Sequence, residues 1–432
     1  MTEALATSRR RQDLPEQQQS SSKVKVAYIM SRFPKITETF ILYEMVAIEQ
    51  QGVQVEVYPF LREQTPVMHP EAKAYVERAH FEPFVSLPLV WAHLHYLRRQ
   101  PRAYLSTLWT LLRANWGSLR FFTRALALFP QAVYFARRMS DDGINHIHAH
   151  FASHPAAAAF VIHRLAGIPY SFTAHGSDLH RDRHMLCEKV AAAEFVVPIS
   201  EFNKSMILQD CGEHWGNKVF VIHCGVDTEV FRPRSEPTAY ERGEGPFTVL
   251  CIGTLHEVKG QTYLIEACRL LHERGVDFVC HFAGDGPDME MLVQQAAEAG
   301  LTDAIHFHGR LTREEIAELL AKADVVATPS VPTKSGRREG IPVVLMEAMG
   351  SGVPVVASGI SGIPELVEDG RSGFLVAPRH VKGLAEGIER LYHDPQLRRR
   401  FGQAGRQKVI TEFDLYKNAA TLARFFGLEG QP

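Results

Sequence analysis

Short apolar runs alternate with helical patterns from residue 24 onward. The β-branched run at residues 24–30 predicts a buried strand. Apolar residues at helical spacing from Phe40 to Ile48 predict a helix that ends at Gly52, and residues 53–57 predict the next strand. Strand, helix and strand at this spacing predict the start of a doubly wound parallel sheet.

The same alternation restarts at residue 247, after a polar stretch with prolines and glycines at residues 232–246. We therefore expect an α/β protein with two Rossmann-like domains that face a cleft, and chemistry in the loops after the strands. The predicted parts are a disordered tail at 1–22, an N-terminal domain at 23–231, a linker at 232–246, a C-terminal domain at 247–410, and a final helix within 411–432 that returns to the first domain.

The segment at residues 84–140 departs from this alternation, because it holds eight arginines, many aromatic residues, and no aspartate or glutamate. One interpretation is a basic amphipathic helical insertion that lies on an anionic membrane surface. The other is an ordinary helical insertion that packs its apolar face on the domain and exposes its arginines. The sequence leaves both open.

Composition limits the function classes. The chain has 432 residues, of which 45% are hydrophobic and 22% charged, as in globular proteins, and its net charge of −2 gives no argument for nucleic acid. Six dispersed cysteines without a C-x-x-C pair argue against a disulfide framework and a zinc ribbon. No apolar run reaches about 18 residues. We expect a cytoplasmic protein, peripheral on the inner face of the plasma membrane if segment 84–140 binds lipid.

A histidine cluster supports one candidate chemistry. His146, His148 and His150 share one face of a predicted strand, and with His175 and Asp178 they could hold zinc. A zinc metallohydrolase is therefore one hypothesis. The alternative is a row of histidines at a strand end beside the cleft.

Two turns in the second half predict an anion site. Lys259 lies in the turn at residues 253–260, near a helix N-terminus that favours anions, although a solvated lysine is the alternative. Gly340 and Pro342 predict a tight turn whose amides could face a phosphate. Glu339 and Glu347 flank that turn, and carboxylates accept hydrogen bonds from sugar hydroxyls. This pattern predicts a nucleotide-sugar site, the alternative being two exposed glutamates.

The E-x7-E pattern at residues 339–347, with Pro-Glu-Leu-Val at 364–367 and Gly-Phe-Leu-Val at 373–376, resembles the retaining GT-B glycosyltransferases of family four. The resemblance covers nearly all of residues 23–430, and residues 222–227 are similar to the motif that joins the two domains. Residues 33–41 and 148–151 resemble the subgroup that builds colanic acid and other exopolysaccharides. The implied fold is GT-B, with an acceptor-side first domain and a nucleotide-sugar-binding second domain.

The resemblance implies a role for each matching residue. Glu339 would bind the transferred sugar, Glu347 the ribose, and Lys259 the diphosphate, while His175 would face the donor sugar from the first domain. The expected catalytic residues are His175, Glu339 and Lys259; the expected donor-binding residues are Gly253, Thr254, Lys259, Glu339, Gly340, Ile341, Pro342 and Glu347; and the expected acceptor-side residues are Thr37, Glu38, His150 and Asp178.

Thr254 departs from the family pattern, which usually has arginine there. Either Arg337 or Arg338 substitutes for it, or donor binding is weak. The departure also leaves open a catalytically inactive GT-B scaffold at the membrane.

The expected activity is transfer of a hexose from a nucleotide diphosphate sugar to a glycan or a polyprenyl-diphosphate-linked oligosaccharide, with retained configuration. No D-x-D motif is present and the predicted cradle is cationic, so we expect no metal and no cofactor. No carboxylate is well placed as a covalent nucleophile, which favours front-face attack. We expect no nucleic-acid partner.

Overall fold

The computed structural model describes residues 24–35, 38–64, 68–83, 85–180 and 183–427. The predicted tail at 1–22 lies outside the described residues. The strands are β1 Lys25–Phe33, β2 Gln54–Arg62, β3 His146–His150, β4 Tyr170–Ala174, β5 Phe195–Pro198, β6 Phe247–Ile252, β7 Phe278–Ala283, β8 Ile305–Phe307, β9 Val325–Thr328, β10 Val355–Ser358 and β11 Gly373–Val376.

The helices alternate with the strands, as the apolar patterns predict. Among the described residues, four helices lie between β2 and β3, where a simple strand-helix-strand unit has one. The helices in chain order are α1 Thr39–Gln50, α2 Pro70–Arg78, α3 Leu87–Arg99, α4 Pro101–Ala114, α5 Leu119–Asp141, α6 His154–Ala166, α7 Leu186–Ala192, α8 Glu201–Cys211, α9 Gln261–Glu273, α10 Met289–Glu298, α11 Arg313–Lys322, α12 Val343–Gly350, α13 Ile363–Leu366, α14 Val381–His393, α15 Pro395–Glu412 and α16 Leu415–Phe425.

Two parallel sheets organise the chain. The first has the order β2-β1-β3-β4-β5 and the second the order β11-β10-β9-β6-β7-β8. The central strands are buried along their whole length, because helices cover both faces of each sheet. The predicted fold class, α/β with two Rossmann-like domains, is confirmed.

The last helix, α16, returns to the first domain. Leu415, Ala419 and Leu422 on α16 are buried in one cluster with Tyr28 on β1 and Met45 on α1. The Asp414 carboxylate caps α16 by accepting from the N–H groups of its first turn. Helix α16 therefore helps to hold the two domains together.

The segment predicted as an insertion folds into α3, α4 and α5. Its inner face is apolar, and Ala92, Tyr96, Leu111 and Phe129 join the core of the first domain. No helix of the described chain is long and apolar enough to cross a membrane.

The composition argument against disulfides is wrong for one pair, because Cys187 on α7 and Cys211 at the end of α8 form a disulfide. The two residues are 24 positions apart and meet only because α7 packs beside α8. The other four cysteines are free.

Candidate functional site

The two domains touch where loops at the carboxyl edges of their sheets meet. Gly176 follows β4, and Gly340 precedes α12. A Cβ on Gly340 would lie 2.7 Å from the carbonyl oxygen of His175, and a Cβ on Gly176 would lie 3.3 Å from the Gly340 Cα. Residues without side chains are therefore needed on both sides of this contact.

A carboxylate of the second domain adds hydrogen bonds to this contact between the domains. Glu365 on α13 accepts hydrogen bonds from the backbone N–H groups of Glu201 and Phe202, at 2.8 and 2.9 Å, in the first turn of α8. A carboxylate at a helix N-terminus is stabilised by the free amides and the helix dipole. The residue lies in the Pro-Glu-Leu-Val motif, but its partners belong to the other domain, so the sequence could not assign this role.

Lys259 and Glu339, which are 80 residues apart, meet at the predicted donor site. Lys259 ends a short 3₁₀ turn after β6, and its Nζ lies 2.8 Å from Glu339 Oε2. Both side chains are largely buried, with 19% and 17% of their surfaces exposed. A Cβ on Gly253 would lie 3.2 Å from the Lys259 Cε, so glycine there leaves room for the lysine stem.

Free backbone donors adjoin this ion pair. The N–H groups of Gly340 and Ile341 have no acceptor among the described residues, and Pro342, which precedes α12, supplies no side-chain cap. The first amides of a helix and the positive end of its dipole attract anions. The turn therefore offers several donors beside one lysine, an arrangement that suits a phosphate group.

Glu347 lies farther along α12 and is partly buried. Burial raises its pKa from 4.5 to about 7, against the opposing effect of the Arg313 guanidinium. Arg313 lies 4.1 Å from the ring centre of Tyr43 on α1, in the first domain, and 5.3 Å from that of Phe231. The contacts of Arg313 across the cleft could not be inferred from the sequence.

The departure at Thr254 has a candidate replacement. Thr254 is exposed, and its carbonyl accepts from Gln261 Nε2 at 3.1 Å. Arg337 Nη1 lies 3.3 Å from Nε2 of His256 in the same loop, whereas the buried Nε of Arg338 has no hydrogen-bond partner among the described residues. Of the two arginines left open by the sequence, Arg337 is thus the one placed against this loop.

The imidazole of His175 is turned into the first domain. Its Nε2 lies 3.0 Å from His150 Nδ1, and its Nδ1 lies 3.8 Å from Cys224 Sγ. The rings of Phe40 and Phe151 flank it at 4.7 and 4.8 Å between centres. Burial lowers the pKa of His175 well below its usual value, so the ring is neutral. The part of His175 that reaches the second domain is its carbonyl oxygen.

The histidines of β3 are hydrogen-bonded inside the first domain. His146 and His148 both contact the Ser171 hydroxyl, at 2.7 and 2.8 Å, and His150 Nε2 lies 3.1 Å from Glu44 Oε1. Burial lowers the pKa of His150 to about 3. Ligand atoms of Glu44, His148 and His150 lie within 4.8 Å of one another, a different set from the one predicted for zinc.

Asp178 fixes loops rather than joining those histidines. Its carboxylate accepts from the backbone N–H groups of His175, Gly176 and Ala152 at 3.0, 2.9 and 2.5 Å. Glu38 pairs with Lys35 at 2.5 Å, at the edge of a small pocket beside β1. Thr37 lies outside the described residues, so the acceptor-side roles stay predictions.

The fold and this site together define a two-domain glycosyltransferase of the GT-B class. The chain matches the model of glycosyl transferases group 1 over residues 234–408 and that of glycosyltransferase family 4 over residues 110–230. It is 30% identical, over 403 residues, to the colanic acid biosynthesis glycosyltransferase WcaL of Salmonella typhimurium, covering 86% of this chain and 92% of that protein. The chain belongs to this glycosyltransferase family, as the resemblance predicted.

Other relatives agree with this placement. The amylovoran biosynthesis glycosyltransferase AmsK of Erwinia amylovora is 35% identical over 249 residues, which span 56% of this chain and 59% of AmsK. The crystal structure of Anabaena HepE in complex with UDP-glucose has a TM-score of 0.67 at 20% identity and covers 93% of this chain and 99% of that chain. A glycosyltransferase structure from Rickettsia africae has a TM-score of 0.69 at 16% identity, with 94% and 98% covered. The two structures share the fold.

Proposed function

We propose that this glycosyltransferase moves a hexose from a nucleotide diphosphate sugar to a glycan or a polyprenyl-diphosphate-linked oligosaccharide during synthesis of a surface polysaccharide. The main support is the Lys259–Glu339 pair beside the free amides of Gly340 and Ile341. The names of WcaL and AmsK, which refer to colanic acid and amylovoran, support the polysaccharide pathway, and HepE with UDP-glucose supports the donor class.

Each group at the donor site has a task in this proposal. The amides of Gly340 and Ile341 hold the terminal phosphate, and Lys259 shares its charge between the diphosphate and Glu339. The other oxygen of Glu339 is left to accept from a sugar hydroxyl. Glu347, once ionised, accepts from the ribose hydroxyls. Arg337 supplies the second cation that Thr254 cannot.

We propose that the anomeric configuration is retained by front-face attack. The first-domain carboxylates nearest His175 are engaged, since Glu44 contacts His150 and Tyr28, and Asp178 accepts from three backbone amides. The acceptor oxygen therefore bonds to the anomeric carbon on the side from which the diphosphate leaves. The bond to the diphosphate oxygen breaks, and that oxygen takes the acceptor proton.

The same cradle makes a metal unnecessary in this proposal. Lys259 and the amides face the negative charge that develops on the leaving diphosphate, in a site from which the closed domains exclude water. A polyprenyl-linked acceptor would further require that the enzyme work at the cytoplasmic face of a membrane.

Calorimetric titration tests the donor site. UDP, GDP and ADP are titrated, with EDTA present, into the wild type, Glu347→Ala, and the control Glu386→Ala, whose exposed carboxylate lies on α14 away from the cleft. We expect one nucleotide to bind saturably, about tenfold or more weakly in Glu347→Ala, and unchanged in the control. The absence of any binding would refute the cradle and favour an inactive scaffold, and binding that EDTA abolishes would refute the metal-free proposal.

The configuration is tested on the product. With the donor that the titration identifies, and a glycan acceptor, NMR of the new linkage reports the anomer directly. The same configuration as in the donor is expected, and an inverted product would refute front-face attack.

A further inference from the structure

An apolar, arginine-rich surface covers the outside of α3, α4 and the start of α5. Ten of the 13 exposed large hydrophobic side chains of the described residues belong to this region: Val85, Leu87, Val90, Trp91, Leu97, Leu105, Trp109, Trp116, Leu119 and Leu126. Three of the four tryptophans of the chain are among them, and each is 65% or more exposed. Nothing in the donor site uses these side chains.

The clearest order is on α4. Arg102, Leu105, Trp109 and Arg113 follow one another at spacings of three and four residues, so they form one stripe along the helix, and all four are exposed. The opposite side of α4, with Tyr104 and Leu111, is buried in the domain. The apolar centre of the stripe therefore has an arginine at each end and faces away from the protein.

Most arginines of this surface have no carboxylate partner within the part of the chain that the structure describes. Six exposed arginines make no ion pair with any described residue: Arg98, Arg99, Arg102, Arg113, Arg120 and Arg124. By contrast, Arg137 and Arg138 near the end of α5 pair with Asp141 and Asp142, at 2.9 and 2.8 Å. The uncompensated positive charge thus lies at the same place as the exposed apolar side chains.

We propose that this docking face, the outer side of residues 85–126, binds the surface of a bilayer that contains anionic phospholipid. The tryptophans and leucines would lie at the boundary between headgroups and acyl chains, and the arginines against lipid phosphates. A second copy of the chain fits worse, because the six arginines of one docking face would repel the six arginines of the other. Nucleic acid fits worse, because the exposed leucines would stay in water. This inference goes beyond glycosyl transfer and does not depend on it.

Vesicle co-sedimentation of the full chain tests the proposal. Phosphatidylglycerol-containing vesicles are compared with pure phosphatidylcholine vesicles, at low and high salt. One variant carries Arg102→Glu and Arg113→Glu, and another carries Leu105→Ser and Trp109→Ser. One matched control changes Arg399 and Arg400, which are exposed on α15, to glutamate. The other replaces Met291 and Val293, which are exposed on α10, with serine.

The wild type should bind anionic vesicles at low salt and release them at high salt, with a blue shift of tryptophan fluorescence. Loss of two arginine contacts should weaken binding about 30-fold or more, and the serine variant should lose most of the blue shift. The controls should bind like the wild type, and all variants should retain the thermal stability and nucleotide binding of the wild type. The proposal fails if the protein binds anionic and neutral vesicles alike, or if the docking-face variants bind like the controls. It also fails if the wild type is a dimer and the docking-face variants are monomers.

Discussion

In the proposed donor site, the ionisation of Glu347 would affect both nucleotide binding and the stability of the fold. Burial raises its pKa from 4.5 to about 7. Between these two pH values the folded protein keeps a proton that the unfolded chain releases. The contribution of Glu347 to the free energy of unfolding is therefore fully present below pH 4.5 and is lost as the pH rises through about 7. At about 1.36 kcal/mol per pKa unit, the raised pKa lowers the free energy of unfolding by roughly 3 kcal/mol at pH 8 and by about 1 kcal/mol at pH 5, relative to low pH.

Glu347→Gln keeps the size of the side chain and removes this ionisation. We expect the stability of the variant relative to the wild type to grow by about 2 kcal/mol between pH 5 and pH 8. Urea denaturation of both proteins across this range, followed by far-UV circular dichroism, measures the difference. Glu386→Gln, at an exposed position, should show no such trend.

Nucleotide affinity should change in the opposite sense. The wild type should lose affinity as the pH falls below about 7, because a protonated Glu347 is a poorer acceptor for ribose hydroxyls, whereas Glu347→Gln should bind weakly at every pH. Parallel stability curves for wild type and variant from pH 5 to pH 8 would show that Glu347 ionises normally, and would refute the reasoning.

Three further substitutions test the cleft. Gly340→Ala would place a Cβ 2.7 Å from the His175 carbonyl oxygen and force the domains apart; initial rates should fall about 100-fold while the melting temperature changes little. Glu365→Ala removes two hydrogen bonds between the domains, so small-angle scattering should show a larger radius of gyration and donor KM should rise. Asp178→Asn replaces one accepting oxygen with an NH₂ group that faces N–H donors, so the free energy of unfolding should fall by about 2 kcal/mol. An unchanged midpoint of urea denaturation would contradict the role of Asp178 in fixing these loops.

The fold could be predicted because buried parallel strands and amphipathic helices leave clear periods in the sequence. The interpretation of β3 was harder, since three of its five residues are histidines and yet all five are buried. Their polarity is matched by β4, where His148 pairs in register with Ser171 and His150 with Thr173. Periodicity within one strand does not show which residues of the next strand lie beside it, so the sequence could not reveal these hydrogen-bond partners.

Part of the geometry of the candidate site could be predicted, because parallel strands bring their carboxyl ends to one edge of the sheet. Lys259 and Glu339 meet there despite their separation. The contacts that depend on how the two domains pack could not be predicted. Examples are the hydrogen bonds from the first turn of α8 to Glu365, the contact of Arg313 with Tyr43, and the close approach of Gly340 to the His175 carbonyl.

The predicted donor site holds several groups whose hydrogen-bonding capacity the described residues do not fill. The amides of Gly340 and Ile341 have no acceptor in the described chain, Lys259 has one carboxylate partner, and Glu347 keeps its proton up to about pH 7. A diphosphate would satisfy the amides and the lysine together, and ribose hydroxyls would favour the ionised Glu347. Since Gly340 also contacts the first domain, one of the residues that would bind the donor lies where the domains meet. Donor binding should therefore favour the closed cleft, in which water is excluded before transfer.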